Sequence, residues 1–178
     1  MPDSTTTQRQ PQPPSTAHVR RAGPDDRAVL ERLWPLFRHD LSRFTGTLPR
    51  PDGTFRSERL EAALTDAGWA AFLAHHGDSP VGFAFVRSLE RPPFVLNSFF
   101  VVAGARRTGT GSQFVHEVLA TFPGRWEVAF QEANTVAGHF WRAVAAFHDR
   151  RWSEERRAVP GQPDVPPDSW IGFTVHDR

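Results

Sequence analysis

FVLNSFFVVAGARRTGTGS, residues Phe94–Ser112, is the stretch on which the reading of this chain turns. Val95 to Val102 is almost wholly β-branched, aromatic or otherwise apolar, which predicts a buried strand. Ala103–Ala105 follows as a loop, then Arg106 and Arg107, then Gly109 and Gly111. From Gln113 onward Phe114, Val115, Val118, Leu119 and Phe122 recur at helical spacing. The two glycines therefore stand where a strand turns into a helix. The first-turn N–H groups of a helix have no partners within it, and the helix dipole is positive at that end. Glycines let a ligand approach the backbone closely, and two arginines add permanent positive charge. The combination reads as a cradle for a diphosphate.

Working outward, a second strand is expected over Trp126–Gln131, followed by Asn134-x-x-Ala137-x-x-Phe140-Trp141 at the start of a helix. Taken with Phe99-Phe100-Val101 and Arg106-x-x-Gly109-x-Gly111, this segment resembles the acyl-CoA-binding signature of the GNAT superfamily of N-acetyltransferases. The two matches come in the family's order, one helix apart. The likeness runs from Ala17 to the C-terminus.

The resemblance implies an α/β fold: a mixed central sheet whose middle strands splay apart, with about four helices. It implies acetyl-CoA as donor, its pantetheine arm lying in the splay beside Val101. Coenzyme A contacts then fall to Val101, Arg106, Arg107, Gly109, Gly111, Ser112 and Asn134. Asn134 also reads as a helix N-cap, and the two roles are compatible. Many members carry a glutamate base on the organising strand; the resemblance puts Ser98 in its place. Many use a tyrosine on the last helix as acid; Trp141 stands there, and its indole N–H gives up no proton usefully. What remains is catalysis by positioning, with deprotonation relayed by water through Ser98 or Asn97. Glu132, ending the Trp126 strand, is the third catalytic candidate. The implied reaction is acetyl transfer to the amine of a small molecule, its identity open.

Composition narrows the chemistry from another side. All 21 basic residues are arginine, and tyrosine and cysteine are absent. Acid–base work is left to Asp, Glu, His, backbone and water, with no Schiff-base amine and no thiolate. The histidines are scattered and no pair of them has metal-ligand spacing with a third ligand in view, so no metal is expected. A net charge of +1 implies no general attraction to nucleic acid. No apolar run approaches the ~20 residues of a membrane span, and Met1–Pro14 is polar and proline-rich without the apolar core of a secretory signal. A cytoplasmic protein is expected, and a homodimer is compatible with the sequence.

Residues 1–16 read as a disordered tail, and 17–178 as one domain. The expected order is a strand at His18–Ala22, a helix opening at Gly23–Asp26 that Pro35 kinks or divides, and a loop with an interrupted second helix through His39–Phe44 and Thr45–Gly53. A short helix at Glu58–Leu64 and strands at Trp69–His75 and Val81–Leu89 lead into the organising strand and helix. After the Trp126 strand come a helix over Thr135–Phe147 and strands at Trp152–Val159 and Trp170–Val175. Asp40 and Ser42 are expected in a loop on the acceptor side.

Two other readings compete. A dinucleotide-binding turn shares Gly109-x-Gly111, but its third glycine position is Phe114 and two arginines precede the first glycine. An acyl-CoA-binding sensor of the same fold with weak catalysis is the other, favoured by the missing base and acid.

Overall fold

The computed structural model describes residues 16–161 and 165–177. Apart from Thr16, the tail expected over residues 1–16 lies outside them. The described residues form one seven-stranded mixed sheet with four helices. The strands are β1 (His18–Arg21), β2 (Trp69–His76), β3 (Ser79–Arg87), β4 (Phe94–Val101), β5 (Gly124–Phe130), β6 (Ser153–Arg157) and β7 (Asp168–Val175). The helices are α1 (Arg27–Thr45), α2 (Glu58–Thr65), α3 (Thr110–Ala120) and α4 (Thr135–His148). In space the strands run β1-β2-β3-β4-β5-β7-β6. All neighbours are antiparallel except β4 and β5, which are parallel and joined through α3.

The fold follows from two periodicities. β2 and β3 are buried on both faces and read as continuous apolar runs. β5 and β7 alternate, with Trp126, Val128, Phe130, Ile171, Phe173 and Val175 all on the face that α3 and α4 cover. Phe114, Val115, Val118 and Leu119 of α3 are fully buried against that face. On the other face α1 and α2 seal β2, β3 and part of β4 with Leu30, Leu33, Trp34 and Leu60 over Leu73, Phe83, Phe85 and Phe100. The outward-facing side chains of β5, β7 and β6 are half-buried or exposed.

One expectation is corrected here. Pro35 does not divide the first helix: α1 runs unbroken through it to Thr45, so His39–Phe44 is helical rather than a loop. Pro35 and Glu31, whose carbonyl would have been its partner, are both exposed. The helix tolerates the lost hydrogen bond on this exposed side, where water can take its place. The helix ends at Gly46, whose φ of +65° suits a left-handed cap and whose N–H donates to the Ser42 carbonyl at 2.8 Å. α3 begins at Thr110, before the apolar spacing becomes visible at Gln113.

Near the start of the chain, Asp26 accepts both Arg20 guanidinium nitrogens at 2.6 and 2.7 Å and the Gly23 N–H at 2.8 Å. The bidentate pair lowers its pKa from 3.8 to about 2, against an opposing effect of burial. A carboxylate whose folded pKa is depressed adds stability above its unfolded pKa and loses it as pH falls through the folded one. Arg20 is 40% exposed, so solvent screens much of the pair. Asp26→Asn is expected to cost about 1 kcal/mol at pH 7. Denaturant titrations should show the deficit shrinking between about pH 4 and about pH 2.

Candidate functional site

The site begins where the sheet comes apart. β4 and β5 pair at Phe94↔Trp126, Val95↔Glu127 and Leu96↔Val128, and no further, although β4 continues to Val101. At the same level β4 is bulged: Phe85 pairs with Ser98 and Val86 with Leu96, leaving Asn97 as the extra residue. The bulge reverses the alternation of the strand. Phe94 and Leu96 pack with α3 and α4; beyond it Phe100 packs with α1, while Phe99 and Val101 return to the α3–α4 side. The β5-facing edge of β4 from Ser98 to Val101 thus has no partner strand. Trp126 anchors the closed end: it is 1% exposed, packs on Phe94 at 5.4 Å, and donates its indole N–H to the Phe122 carbonyl at 2.9 Å.

The loop from β4 to α3 is held rigidly. Thr108 Oγ1 donates to the Ala105 carbonyl at 2.9 Å, lies 2.9 Å from Thr110 Oγ1, and Thr110 in turn meets His76 Nε2 at 3.0 Å. Arg107 and Gly109 both have positive φ, +64° and +89°. For Arg107 this is a strained conformation of the kind that clusters at ligand sites. The helix ladder of α3 starts with Gln113 N–H on the Gly109 carbonyl at 3.0 Å, so the amides of Thr110, Gly111 and Ser112 have no intrahelical partner. At Gly109 a Cβ would meet no atom within 4 Å. At Gly111 it would touch only the ring of Phe140 at 3.8 Å and Val101 at 4.0 Å. Glycine at 111 is therefore not required by packing; a longer side chain would extend into open space.

That space is a cavity of about 700 Å³. Its floor is Phe99, Phe100 and Val101 of β4; the 106–112 loop and the start of α4, from Asn134 to Trp141, form two sides. α1 forms the last side with Phe37, Asp40, Leu41, Arg43 and Phe44. Arg106 ties two of these sides together. Its Nε donates to the Val101 carbonyl at 2.7 Å, its guanidinium lies 5.6 Å from the Phe100 ring centre, and its terminal nitrogen pairs with Asp40. Arg43 rests 5.8 Å from the Phe44 ring centre, and no ion pair engages Arg43 or Arg107 among the described residues.

No protein-family model and no curated protein matches the chain. Its structure, however, is similar to solved acetyltransferases across nearly its whole length. An acetyltransferase from Thermus thermophilus superposes with a TM-score of 0.65 at 18% identity, covering 92% of this chain and 100% of the other. An acetyltransferase of the GNAT family from Bacillus cereus gives 0.60 at 15% identity, covering 90% and 99%. PaiA N-acetyltransferase from Thermoplasma acidophilum, solved in complex with coenzyme A, gives 0.59 at 9% identity, covering 89% and 99%. The chain has the GNAT fold.

Within this GNAT fold the residues expected from sequence to hold the cofactor converge. Val101, Arg106, Arg107, Gly109, Gly111, Ser112 and Asn134 all line the one cavity. Asn134 is also the N-cap of α4, its Oδ1 accepting from the Ala137 N–H at 3.1 Å. Arg106 is placed differently from a free phosphate ligand, since its side chain is spent on Val101 and Asp40. Two of the three catalytic candidates, Ser98 and Asn97, sit together at the gap, and the third, Glu132, does not. Ser98 is 3% exposed at the root of the gap, with its hydroxyl donating to Asn97 Oδ1 at 3.2 Å. Glu132 lies outside the cavity, on the exposed turn after β5, ion-paired to Arg156.

Of the two residues read into an acceptor-side loop, Asp40 lines the cavity from helix α1 and Ser42 does not, and the apolar residues of this wall were missed. Leu33, Phe37, Leu41 and Phe44 continue the helical spacing past Pro35, and that spacing was the available signal. Glu127, the carboxylate opposite Val95 beside the closed end of the gap, is also occupied. Arg157 grips it with two hydrogen bonds of 2.7 and 2.9 Å, which holds its pKa below the usual range. Among the described residues no group of three His, Asp or Glu side chains is placed to hold a metal ion.

Proposed function

We propose that the chain is an acetyl-CoA-dependent N-acetyltransferase acting on the amine of a small molecule. One observation carries this reading: β4 and β5 part after three paired residues, and the gap opens onto a cavity walled by a glycine-rich helix N-terminus. An extended pantetheine arm fits such an edge, because the unpartnered backbone of β4 offers hydrogen bonds to its amides as a neighbouring strand would. The amides of Thr110, Gly111 and Ser112, with Arg107, suit the diphosphate. Arg43 suits it as a second cation. When bound, the acyl-CoA supplies an activated thioester. The protein's own part is to hold the reacting groups together and to exclude bulk water; such positioning is worth up to roughly 7–11 kcal/mol of barrier in well-oriented systems.

Ser98 and Asn97 sit where the gap begins and are proposed as the polar relay for the proton that leaves the amine. Glu132 is left out of this role by its position and its pairing with Arg156. Incubation of the pure protein with acetyl-CoA and a panel of amines, followed by free thiol, tests the reading. Thiol release that depends on the acceptor is expected. Tight coenzyme A binding with no acceptor-dependent release would support instead a cofactor-binding sensor of the same fold.

A further inference from the structure

Resting on that reading, we infer that the acceptor is a weakly basic aromatic amine, one that is already neutral when it enters the cavity. Apart from Arg43, given above to the diphosphate, the α1 wall is the part of the cavity that the cofactor reading does not account for. It presents Phe37, Leu41 and Phe44, with Phe37 edge-on to Phe100 of the floor at 6.2 Å. Across the floor, Phe99 stacks on Phe140 at 5.7 Å and meets Trp141 edge-on at 5.3 Å. A flat apolar ring gains area and edge-to-face contacts against such surfaces; a hydrated chain of methylenes and ammonium groups loses water without replacement.

Charge points the same way. Among the described lining residues the one carboxylate is Asp40, and Arg106 already neutralises it. The other charged groups of the cavity, Arg43 and Arg107, are cations that the diphosphate engages on that reading, so the lining keeps no unpaired carboxylate. An ammonium ion would enter with no free anion to receive it, and desolvation there favours the neutral amine. The groups at the root of the gap, Ser98 and Asn97, are neutral and cannot take up a proton and keep it. A strongly basic amine would need a base to become a nucleophile; a weakly basic one needs none.

The transfer then closes without a titrating side chain. The neutral nitrogen lone pair forms a C–N bond to the thioester carbonyl carbon, and the C–S bond breaks. The proton lost from nitrogen passes through water to the departing sulfur, leaving an amide and a free thiol.

The test uses the wild-type protein, acetyl-CoA, and a matched pair of acceptors, an aniline and its benzylamine homologue, from about pH 6 to about pH 9. The aniline should give a nearly flat profile of kcat/KM. The benzylamine should be at least about tenfold poorer at pH 7 and rise about tenfold per pH unit as its neutral fraction grows. Calorimetry of the acetanilide product into the coenzyme A complex should show saturable binding, and Leu41→Glu, on a half-exposed helix position, should narrow the aniline preference by giving an ammonium its missing partner. Equal or better use of benzylamine at pH 7 with a flat profile would overturn the inference. So would acceptor-dependent thiol release confined to alkyl amines. Failure of coenzyme A itself to bind would overturn the underlying reading of the cavity, and is seen separately in the calorimeter.

Discussion

A Gly111→Leu chain will bind coenzyme A on the order of a hundredfold more weakly than wild type, roughly 3 kcal/mol, while remaining folded. The helix position itself does not object to leucine: its φ is ordinary, and a Cβ there lies in van der Waals contact with Phe140 and Val101 at 3.8 and 4.0 Å. Leucine is also the better helix former by nearly ~1 kcal/mol. The side chain beyond Cβ, however, enters the space beside the amides of Thr110, Gly111 and Ser112 that we propose for the diphosphate. Calorimetry of coenzyme A, run beside a thermal melt, separates the two effects. Lost affinity with an unchanged or higher Tm is the expected pair. Arg107→Ala should be milder, about tenfold in affinity and shrinking as salt rises, because it removes one exposed cation rather than the cradle.

The second large effect lies at the closed end of the gap. Trp126→Ala is expected to cost about 3–5 kcal/mol, as for other fully buried tryptophans, and to lower Tm by about 10 °C. Trp126 is buried to 1% exposure among Phe94, Phe122 and Phe173's strand, and its indole N–H satisfies the Phe122 carbonyl. It is also the β5 partner of Phe94, the first of the three pairs that join the two halves of the sheet. The loss should therefore be read in amide exchange as well as in melting. Protection at Val95, Leu96, Glu127 and Val128 should fall further than protection within β2 and β3.

Much of the fold was legible because its signals are local. The β4 run, the glycines and the α3 spacing stand side by side, and the Asn134 cap marks its own helix. α1 was less legible because Pro35 is a strong local breaker; whether it breaks depends on which way the ring faces, and that is a tertiary fact. Here the ring faces water. The splay between β4 and β5 came only from the resemblance, since strand pairing is non-local. The bulge at Asn97 was invisible for a similar reason. It shows only in the register against β3, yet it decides that Phe99 and Val101 rather than Phe100 face α3 and α4.

For the site, the residues that line one side of the cavity were readable because Arg106 to Ser112 is a contiguous motif. The opposite wall was not, because it comes from α1, far upstream in the chain. Arg106 illustrates the limit: it lines the cavity as its place in the motif suggests, but its side chain turns to Asp40 and the Val101 carbonyl. Glu132 illustrates another: a carboxylate just past a strand end near the gap in sequence stands on an exposed turn, paired with Arg156.

The seat of the cofactor is the claim on which the others depend. A backbone amide titration by NMR with unlabelled coenzyme A tests it most directly. Saturable shifts concentrated on Val101, Gly109, Thr110, Gly111, Ser112 and Asn134 are predicted, with β1 and β6 unmoved. Shifts that leave the 107–112 amides untouched, or that gather on another face of the sheet, would contradict it.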